Sequence, residues 1–363
     1  MTRHRSLLTR GVLLPVLLGL IAACSDSPIP SPPKAPPVVT LDSRVTFLAV
    51  GDIMISRGVA RSIDRAGDPL APFKKMEEVL LSTDFNFGNL ESPISGNDKK
   101  VGKGLVFNMR RRDAAGLKKY NFKVLNLANN HALDQGLKGL QFTRQALAED
   151  GFTYLGVGDN LAEAWRPKSI EVKGVKIGFV GASYASYNDS GAVRNEYVAR
   201  IEDEQRLESA INELKKSGTD FIIATMHAGA EYQRRPGPAA IAFARKAIDA
   251  GADMVIGAHP HWVQITEEYK GKYIFYSLGN FIFDQEWSRD TKEGLALKIT
   301  LTCKKTSELA ERAVEQIELI PVIIENYSTP RPATEPEAQA ILTKIGLTSR
   351  IIRPKNEPLA AAR

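Results

Sequence analysis

The stretch Met254-Val255-Ile256-Gly257-Ala258-His259-Pro260-His261 joins a short apolar run, typical of a β-strand, to two closely spaced histidines. Two further apolar runs end in the same way, at Met226-His227 and at Asn129-Asn130-His131. A neutral imidazole is the commonest protein ligand for divalent transition metals, and amide or carboxylate oxygens can complete a mixed shell. One histidine alone is most often an ordinary residue, but four of the five here follow predicted strands, which predicts a metal site. In an extended backbone, His259 and His261 would point to the same face.

Strand-like apolar runs alternate with helix-like stretches along most of the chain. The predicted strands are Val45–Val50, Asp84–Phe87, Lys123–Ala128, Lys176–Val180, Phe221–Met226, Met254–Ile256 and Tyr273–Leu278. The predicted helices are Pro72–Ser82, Arg112–Tyr120, Leu137–Asp150, Glu202–Lys216 and Pro238–Ala250. This alternation predicts a layered α/β fold, in which ligands bind at the carboxyl ends of the strands.

The last part of the chain departs from this alternation. Leu295–Cys303 and Val314–Ile324 are predicted to form two neighbouring antiparallel strands, and Glu335–Leu347 to form a helix. We therefore divide the folded part into a main domain, residues 44–330, and a C-terminal helix and tail, residues 331–363.

The N-terminus has the pattern of an export signal. Residues 1–23 combine a basic start with an apolar core and small residues before Cys24, which indicates a signal peptide. The stretch Ile21-Ala22-Ala23-Cys24 resembles a bacterial lipobox, so we expect Cys24 to be lipidated and the protein to be extracytoplasmic. The alternatives are an uncleaved anchor or a secreted protein, but the apolar stretch is short against the roughly 20 residues of a spanning helix and contains Pro15. Residues 24–43 are rich in proline and predict an extended tether.

Charge and cysteine content exclude two classes of function. Removing Arg3, Arg5 and Arg10 with the leader lowers the formal charge from +6 to +3, too weak to indicate a nucleic-acid partner. With Cys24 assigned to the lipid, Cys303 has no partner for an intramolecular disulfide. We expect Cys303 to be a small buried hydrophobic residue.

Six polar motifs follow the predicted strands in order. They are Gly51-Asp52, Asn89-Leu90-Glu91-Ser92-Pro93, Asn129-Asn130-His131-Ala132-Leu133-Asp134, His227-Ala228-Gly229-Ala230-Glu231-Tyr232, Gly257-Ala258-His259-Pro260-His261 and Ser277-Leu278-Gly279-Asn280. This series resembles the bacterial capsule synthesis, or poly-γ-glutamate biosynthesis, family of CapA type, within the calcineurin-like metallophosphoesterase class. The resemblance extends from about Val45 to Asp284, and its specificity comes from the conjunction of motifs.

The resemblance implies a four-layer α/β/β/α sandwich of metallophosphatase type with two divalent metal ions at the strand ends. Carried over by motif, the implied ligands are Asp52, Glu91, Asn130, His227, His259 and His261. Glu91 would bridge the two ions, and His131 would be catalytic rather than ligating. A shell of nitrogen and oxygen ligands suits manganese, iron or zinc.

The chain departs from the expected motifs at three places. The phosphoesterase pattern has a histidine two residues after the first aspartate, whereas Asp52 is followed by Ile53-Met54. The capsule family commonly has a Trp where Ala228 stands and a His where Ala258 stands. The first departure implies that one metal site is weaker or differently filled, whereas the other two remove none of the implied ligands.

Further polar residues surround the motifs. Asp134 is placed to orient His131, and Glu231 to act as a base or as a support for His227. Arg57 and Arg234 could clamp an anionic group, although ordinary surface arginines show the same pattern. Asn89 and Asn280 are predicted to contact substrate or to fix loops, as asparagines in turns often do.

These features favour a metal-dependent hydrolase that acts on an anionic envelope polymer, or on its phosphorylated or amide-linked precursor. The alternative is a non-catalytic accessory that binds such a polymer during its synthesis, export or anchoring. A lipid-tethered solute-binding protein is disfavoured by the clustered histidines. The expected partners are the polymer, the membrane through the N-terminal lipid, and a polymer synthesis or export complex.

Overall fold

A computed structural model describes residues 38–99, 103–184, 196–306 and 310–354. The predicted signal peptide and the predicted lipidation site Cys24 lie outside the described residues. The first strand begins at Val39, within the stretch 24–43 that composition assigns to the tether. No helix in the described ranges is both long enough and apolar enough to cross a membrane.

The described residues form strands and helices in alternation. The strands are β1 (Val39–Ile53), β2 (Phe85–Leu90), β3 (Phe122–Asn126), β4 (Thr153–Leu155), β5 (Lys168–Val172), β6 (Val175–Ser183), β7 (Phe221–His227), β8 (Met254–Ala258), β9 (Thr266–Tyr269), β10 (Lys272–Phe275), β11 (Asn280–Ile282), β12 (Glu293–Thr306), β13 (Ala310–Glu325), β14 (Thr329–Pro332) and β15 (Ile351–Ile352). The α-helices are α1 (Arg57–Ala66), α2 (Glu77–Leu81), α3 (Ala115–Lys119), α4 (Gly136–Glu149), α5 (Leu161–Ala164), α6 (Glu204–Lys216), α7 (Pro238–Ala250) and α8 (Glu335–Lys344).

The strands belong to two sheets. The first has the order β14-β13-β12-β1-β2-β3-β4, with β11 added beside β1 and β15 beside β13. The second has the order β5-β6-β7-β8-β10-β9. Strands β1 to β4 are parallel to one another, as are β6, β7, β8 and β10, so each sheet gathers the carboxyl ends of several strands at one edge.

Alternation of side chains along the strands builds three separate cores. In β7, Phe221 and Ile223 enter the core between the sheets, whereas Ile222 and Ala224 pack beneath α6 and α7. The same alternation in β1 places Phe47 and Ala49 between the sheets and Leu48 and Val50 under the helices of the first sheet. Helices therefore cover the outer face of each sheet, which confirms the predicted four-layer α/β/β/α sandwich.

Glycine permits close backbone contacts beside the strand ends. A Cβ atom on Gly51 would lie 1.9 Å from the Gly279 carbonyl oxygen, and one on Gly257 would lie 2.0 Å from that of Tyr276. Asp52 N also donates to the Gly279 oxygen at 3.0 Å. These contacts fix the backbone next to two of the polar motifs.

The C-terminal part extends the first sheet. Strands β12 and β13 are antiparallel, as predicted, and β15 pairs with β13. Helix α8 buries Ala338, Ile341 and Leu342. Cys303, in β12, is a buried free thiol in the core between the sheets, as predicted, and burial raises its pKa.

Candidate metal centre

The polar motifs converge where the two sheets meet. The first sheet supplies Asp52 at the end of β1, Glu91 just after β2, and the turn after β3 with Asn130 and His131. The second supplies His227 at the end of β7, and His259 and His261 after β8. All seven side chains are buried. The structure thus brings together every residue that the resemblance implies as a ligand.

One group of potential ligands consists of Asp52, Glu91 and His261. One ligand atom from each lies within 4.8 Å of those from the other two. Asp52 Oδ2 is 3.5 Å from His261 Nδ1 and accepts a hydrogen bond from the His259 backbone N–H at 3.2 Å. Two carboxylates and an imidazole form a donor set that suits a divalent transition metal.

A second group lies beside the first and consists of Asn130, His227 and His259. Asn130 Oδ1 is 2.7 Å from His227 Nε2, and the rings of His227 and His259 have centroids 4.6 Å apart. Burial, and then the charges of neighbouring histidines, holds the pKa of both imidazoles well below the usual value. Both rings are therefore neutral at physiological pH and can offer a lone pair.

Buried polar atoms without partners mark the centre. Neither carboxyl oxygen of Glu91, which is 0% exposed, has a hydrogen-bond partner among the described residues, nor has His259 Nδ1. Burial, and then the charge of Asp52, raises the pKa of Glu91 well above its usual value. An unpaired buried carboxylate is costly unless a cation neutralises it. The chemistry of these residues therefore fits metal binding, with Glu91 in the first group and beside His131.

His131 has a different environment. Its Nδ1 atom lies 2.7 Å from Asp134 Oδ2, which also accepts the Phe107 backbone N–H at 2.5 Å. The Phe107 ring stacks on the imidazole with centroids 3.9 Å apart. His131 Nε2 is 3.6 Å from Glu91 Oε1. Since the carboxylate accepts a hydrogen bond from Nδ1–H, Nε2 is left facing the centre.

Asn89 and Asn280 support ligands from behind. Asn89 Nδ2 donates to Asp52 Oδ1 at 2.8 Å and lies 3.1 Å from His227 Nδ1. Asn280 Oδ1 lies 2.9 Å from His261 Nδ1. Both side chains are buried and contact potential ligands, and contact with a substrate stays a prediction. The sequence analysis missed Asn126, whose Nδ2 donates to Asn89 Oδ1 at 2.9 Å.

The two predicted anion-binding arginines already have carboxylate partners. Arg57 Nη2 lies 2.5 Å from Asp284 Oδ1, and its guanidinium lies over the Phe107 ring at 4.6 Å. Arg234 pairs with Asp290 and donates to the Val263 carbonyl at 2.8 Å. These pairs brace loops around the centre, so neither guanidinium is free to clamp a substrate.

Glu231 is exposed at the rim of the centre. Its charge is one of the smaller causes that raise the pKa of Glu91, and after burial it is the largest cause that raises the pKa of the adjacent Tyr232. The carboxylate therefore lies within electrostatic reach of the buried ligands without joining them.

The turn that carries the paired histidines is not extended. His259 and His261 have φ angles of 103° and 57°, in the left-handed region that non-glycine residues rarely adopt. The two rings still face one site, with centroids 6.0 Å apart. An extended backbone is therefore not what gives the two side chains a common site, because a turn around Pro260 brings the rings together. Such strained backbone persists where surrounding structure fixes it, often at functional sites.

Comparisons with known proteins support the resemblance to the capsule synthesis family. The family model described as bacterial capsule synthesis protein PGA_cap matches residues 46–285. The chain is 32% identical over 300 residues to the capsule biosynthesis protein CapA of Bacillus anthracis, covering 81% of this chain and 70% of that one. It is 35% identical over 249 residues to the PGA biosynthesis protein CapA of Bacillus subtilis strain 168, covering 68% of this chain and 65% of that one.

Among solved structures, the chain is similar to a Staphylococcus aureus protein assigned as a 5′-nucleotidase and crystallised with alpha-ketoglutarate. The TM-score is 0.51 at 17% identity, covering 83% of this chain and 58% of that one, which supports a common fold. The family model carries more information, because residues 46–285 include all the residues that converge at the strand ends. The protein belongs to the bacterial capsule synthesis protein PGA_cap family, of CapA type.

Proposed function

We propose that this protein is a metal-dependent hydrolase with a two-metal centre, acting on an anionic envelope polymer or on its phosphorylated or amide-linked precursor. The observation that carries the proposal is the fully buried carboxyl group of Glu91, which has no hydrogen-bond partner among the described residues and lies within 4.8 Å of ligand atoms of Asp52 and His261. A structural carboxylate in that position would need donors of its own. A bridging ligand needs none.

The ligands divide between two cations. Asp52, Glu91 and His261 would hold one, and Asn130, His227 and His259 would hold the other together with Glu91. Manganese, iron and zinc all suit such a shell. When bound, the pair would supply a nucleophilic water at neutral pH and neutralise charge on the attacked group.

The protein's own contribution to bond cleavage comes from His131. Asp134 holds the Nδ1–H, and the stacked Phe107 ring restricts rotation of the imidazole. His131 Nε2 therefore faces the centre with its lone pair, where it can accept a proton and then donate that proton to a leaving oxygen or nitrogen. A buried carboxylate beside a catalytic histidine commonly has this role of fixing the tautomer.

The substrate class rests on the relatives, which are named for capsule and PGA biosynthesis. An acidic polymer or its precursor lies outside the cytoplasm, where the signal peptide of residues 1–23 and lipidation of Cys24 would place this protein. A polymer synthesis or export complex would be its partner at the membrane. The near-neutral charge of the mature chain gives no support for nucleic acid.

Metal content and activity test the proposal together. We expect purified protein to contain about two equivalents of transition metal and to hydrolyse a γ-glutamyl oligomer or a generic phosphodiester. The variant with both His259→Ala and His261→Ala should lose most of the metal and keep its circular dichroism spectrum. Anomalous scattering from crystals would identify the element at each position.

Two outcomes would contradict the proposal. Unchanged metal content in the double variant would show that the ligand assignment fails. Wild-type protein that contains no metal and cleaves nothing, yet binds polyglutamate, would be the non-catalytic accessory.

A further inference from the structure

Aromatic rings lead from the metal centre to the surface. The Tyr232 ring lies 6.0 Å from that of His261 at an interplanar angle of 29°. The Trp287 ring lies 4.7 Å from Tyr232 and meets it edge-on at 83°. Trp287 is 61% exposed, whereas Trp165 is 5% exposed and Trp262 is half-buried.

We propose that Tyr232 and Trp287, together called the aromatic platform, bind the units of an anionic polyamide chain next to the unit held at the metal centre. The inference rests on the proposed function, which it deepens by assigning specificity for a polymer over a single unit.

The aromatic platform is held rigidly against the ligands. Tyr232 N donates to the Pro260 carbonyl at 2.9 Å, in the same turn as His259 and His261. The Tyr232 backbone has a φ of 61°, so its ring direction depends on this tight turn. Any movement of the turn that carries the histidines would therefore move the platform as well.

A chain of side-chain hydrogen bonds makes a second connection. Asn280, which contacts His261, donates from Nδ2 to Gln285 Oε1 at 3.3 Å. Gln285 Nε2 in turn lies 3.5 Å from the Tyr232 hydroxyl. The segment that carries Trp287 is further fixed by Thr291, whose hydroxyl donates to the Gln285 carbonyl at 2.8 Å. A rigid aromatic side chain loses little entropy when it binds a ligand.

The exposed indole and its surroundings indicate the chemistry of the ligand. The T-shaped contact with Tyr232 can cover at most one face of the indole, and Trp287 is 61% exposed, so the other face remains for a planar amide or a methylene chain. Arg235, three residues after Tyr232, is exposed and has no salt bridge with any described residue. It can pair with carboxylates along the chain. A planar, partly apolar backbone that carries carboxylates fits both features.

Tryptophan fluorescence tests the inference without using turnover. The chain has three tryptophans, and the exposure of Trp287 makes it the main target of a soluble quencher such as acrylamide. A long γ-glutamyl oligomer should reduce quenching in wild-type protein. Trp287→Ala should weaken binding of the long oligomer about tenfold or more, which corresponds to loss of one well-packed aromatic contact. Binding of a γ-glutamyl dimer should change little.

Matched variants separate the platform from general effects. Trp287→Tyr should restore most of the affinity, and Trp165→Phe, which changes a buried tryptophan, should leave it unchanged. Polyphosphate, which carries charge and lacks amides, should not protect Trp287. Equal protection by polyphosphate, or a Trp287→Ala variant that binds the long oligomer as wild type does, would overturn the inference. So would wild-type protein that does not bind the oligomer.

The result stays distinguishable from the fate of the proposed function. Metal content is measured on the same samples, and the quenching experiment is repeated after chelation. Protection of Trp287 in a protein that holds no metal and cleaves nothing would support the platform and refute the hydrolase. Two bound metals and cleavage, with no protection of Trp287, would support the hydrolase and refute the aromatic platform.

Discussion

The two sheets contribute different halves of the metal centre. The strand ends of the first sheet supply the oxygen ligands Asp52, Glu91 and Asn130, whereas the second sheet supplies only histidine nitrogens. The oxygen half contains an unpartnered buried carboxyl group, and the nitrogen half includes two imidazoles held neutral by burial. In the proposed assignment each cation takes ligands from both sheets, so the packing of one sheet on the other would be a condition of metal binding.

The largest effect is expected from breaking the oxygen half at Glu91. Glu91→Gln keeps the shape of the side chain and removes its charge, so metal content should fall from about two equivalents to less than one. Hydrolysis should fall by more than about a hundredfold, since even supporting residues commonly cost 10–100-fold. Elemental analysis and initial rates measure both effects. Glu213→Gln, an exposed change on α6, is the control, and a Glu91→Gln variant that retains both metals would contradict the bridging role.

Asp134→Asn tests a residue of the first sheet that takes no part in metal binding. The asparagine cannot hold the His131 tautomer, so the turnover number should fall about a hundredfold while metal content stays the same. His131→Ala should cause a similar loss, and the double variant should lose little more because the two residues act as a unit. Loss of metal from Asp134→Asn would move Asp134 into the ligand group.

Asn89 and Asn280 test whether the two halves of the centre are supported separately, because they contact different ligands. Asn89 contacts Asp52 in one half and His227 in the other, whereas Asn280 contacts His261. Asn89→Ala should lower the affinity for both metals about tenfold, and Asn280→Ala should lower mainly the affinity for one of them. The two affinities are measured by adding a chelator to the metal-loaded protein and monitoring the release of each metal. Equal effects on both metals from each variant would show that the halves are not separately supported.

The smallest expected effect is on the pH dependence of the free energy of unfolding of the metal-free protein. The two halves should change this free energy in opposite directions as the pH rises. Burial and then Asp52 raise the pKa of Glu91 above its ordinary value of 4.5, so this contribution is present below pH 4.5 and is lost as pH rises through the folded pKa. Burial lowers the pKa of His227 and His259 below 6.5. Their contribution is present above pH 6.5 and is lost as pH falls through the folded pKa.

Thermal unfolding in the presence of chelator, at pH values from below 4.5 to above 6.5, measures this dependence. Each shifted group can change the free energy of unfolding by at most about 1.4 kcal/mol per pH unit. Glu91→Gln should remove the loss on the alkaline side and leave the acidic loss in place. An unchanged alkaline slope in that variant would show that Glu91 is not the group responsible.

The sequence predicted the location of the centre because each ligand directly follows an apolar strand. In parallel strands of one sheet the carboxyl ends share an edge, so position in the chain is enough to predict that Asp52 and Glu91 meet. The alternation of strands and helices predicted a layered α/β fold, and the resemblance implied its four layers. Short elements such as β11, three residues long, gave no periodic signal that could be recognised.

Side-chain partners could not be predicted in the same way. Arg57 and Arg234 follow ligand motifs, but their partners Asp284 and Asp290 lie 227 and 56 residues away in the chain. Only the folded loops reveal that both charges are already paired. Trp287 belongs to no motif, and its position beside Tyr232 depends on how the loop after β11 folds against the turn after β7.

The buried thiol of Cys303 gives this protein an internal reporter. It is 2% exposed between the layers that must stay together for the ligands to meet, and its raised pKa keeps it in the unreactive thiol form. A thiol-labelling reagent can therefore modify it only when the sandwich opens. The rate of modification, measured with and without bound cations, would report how strongly the ions stabilise the packing of the two layers.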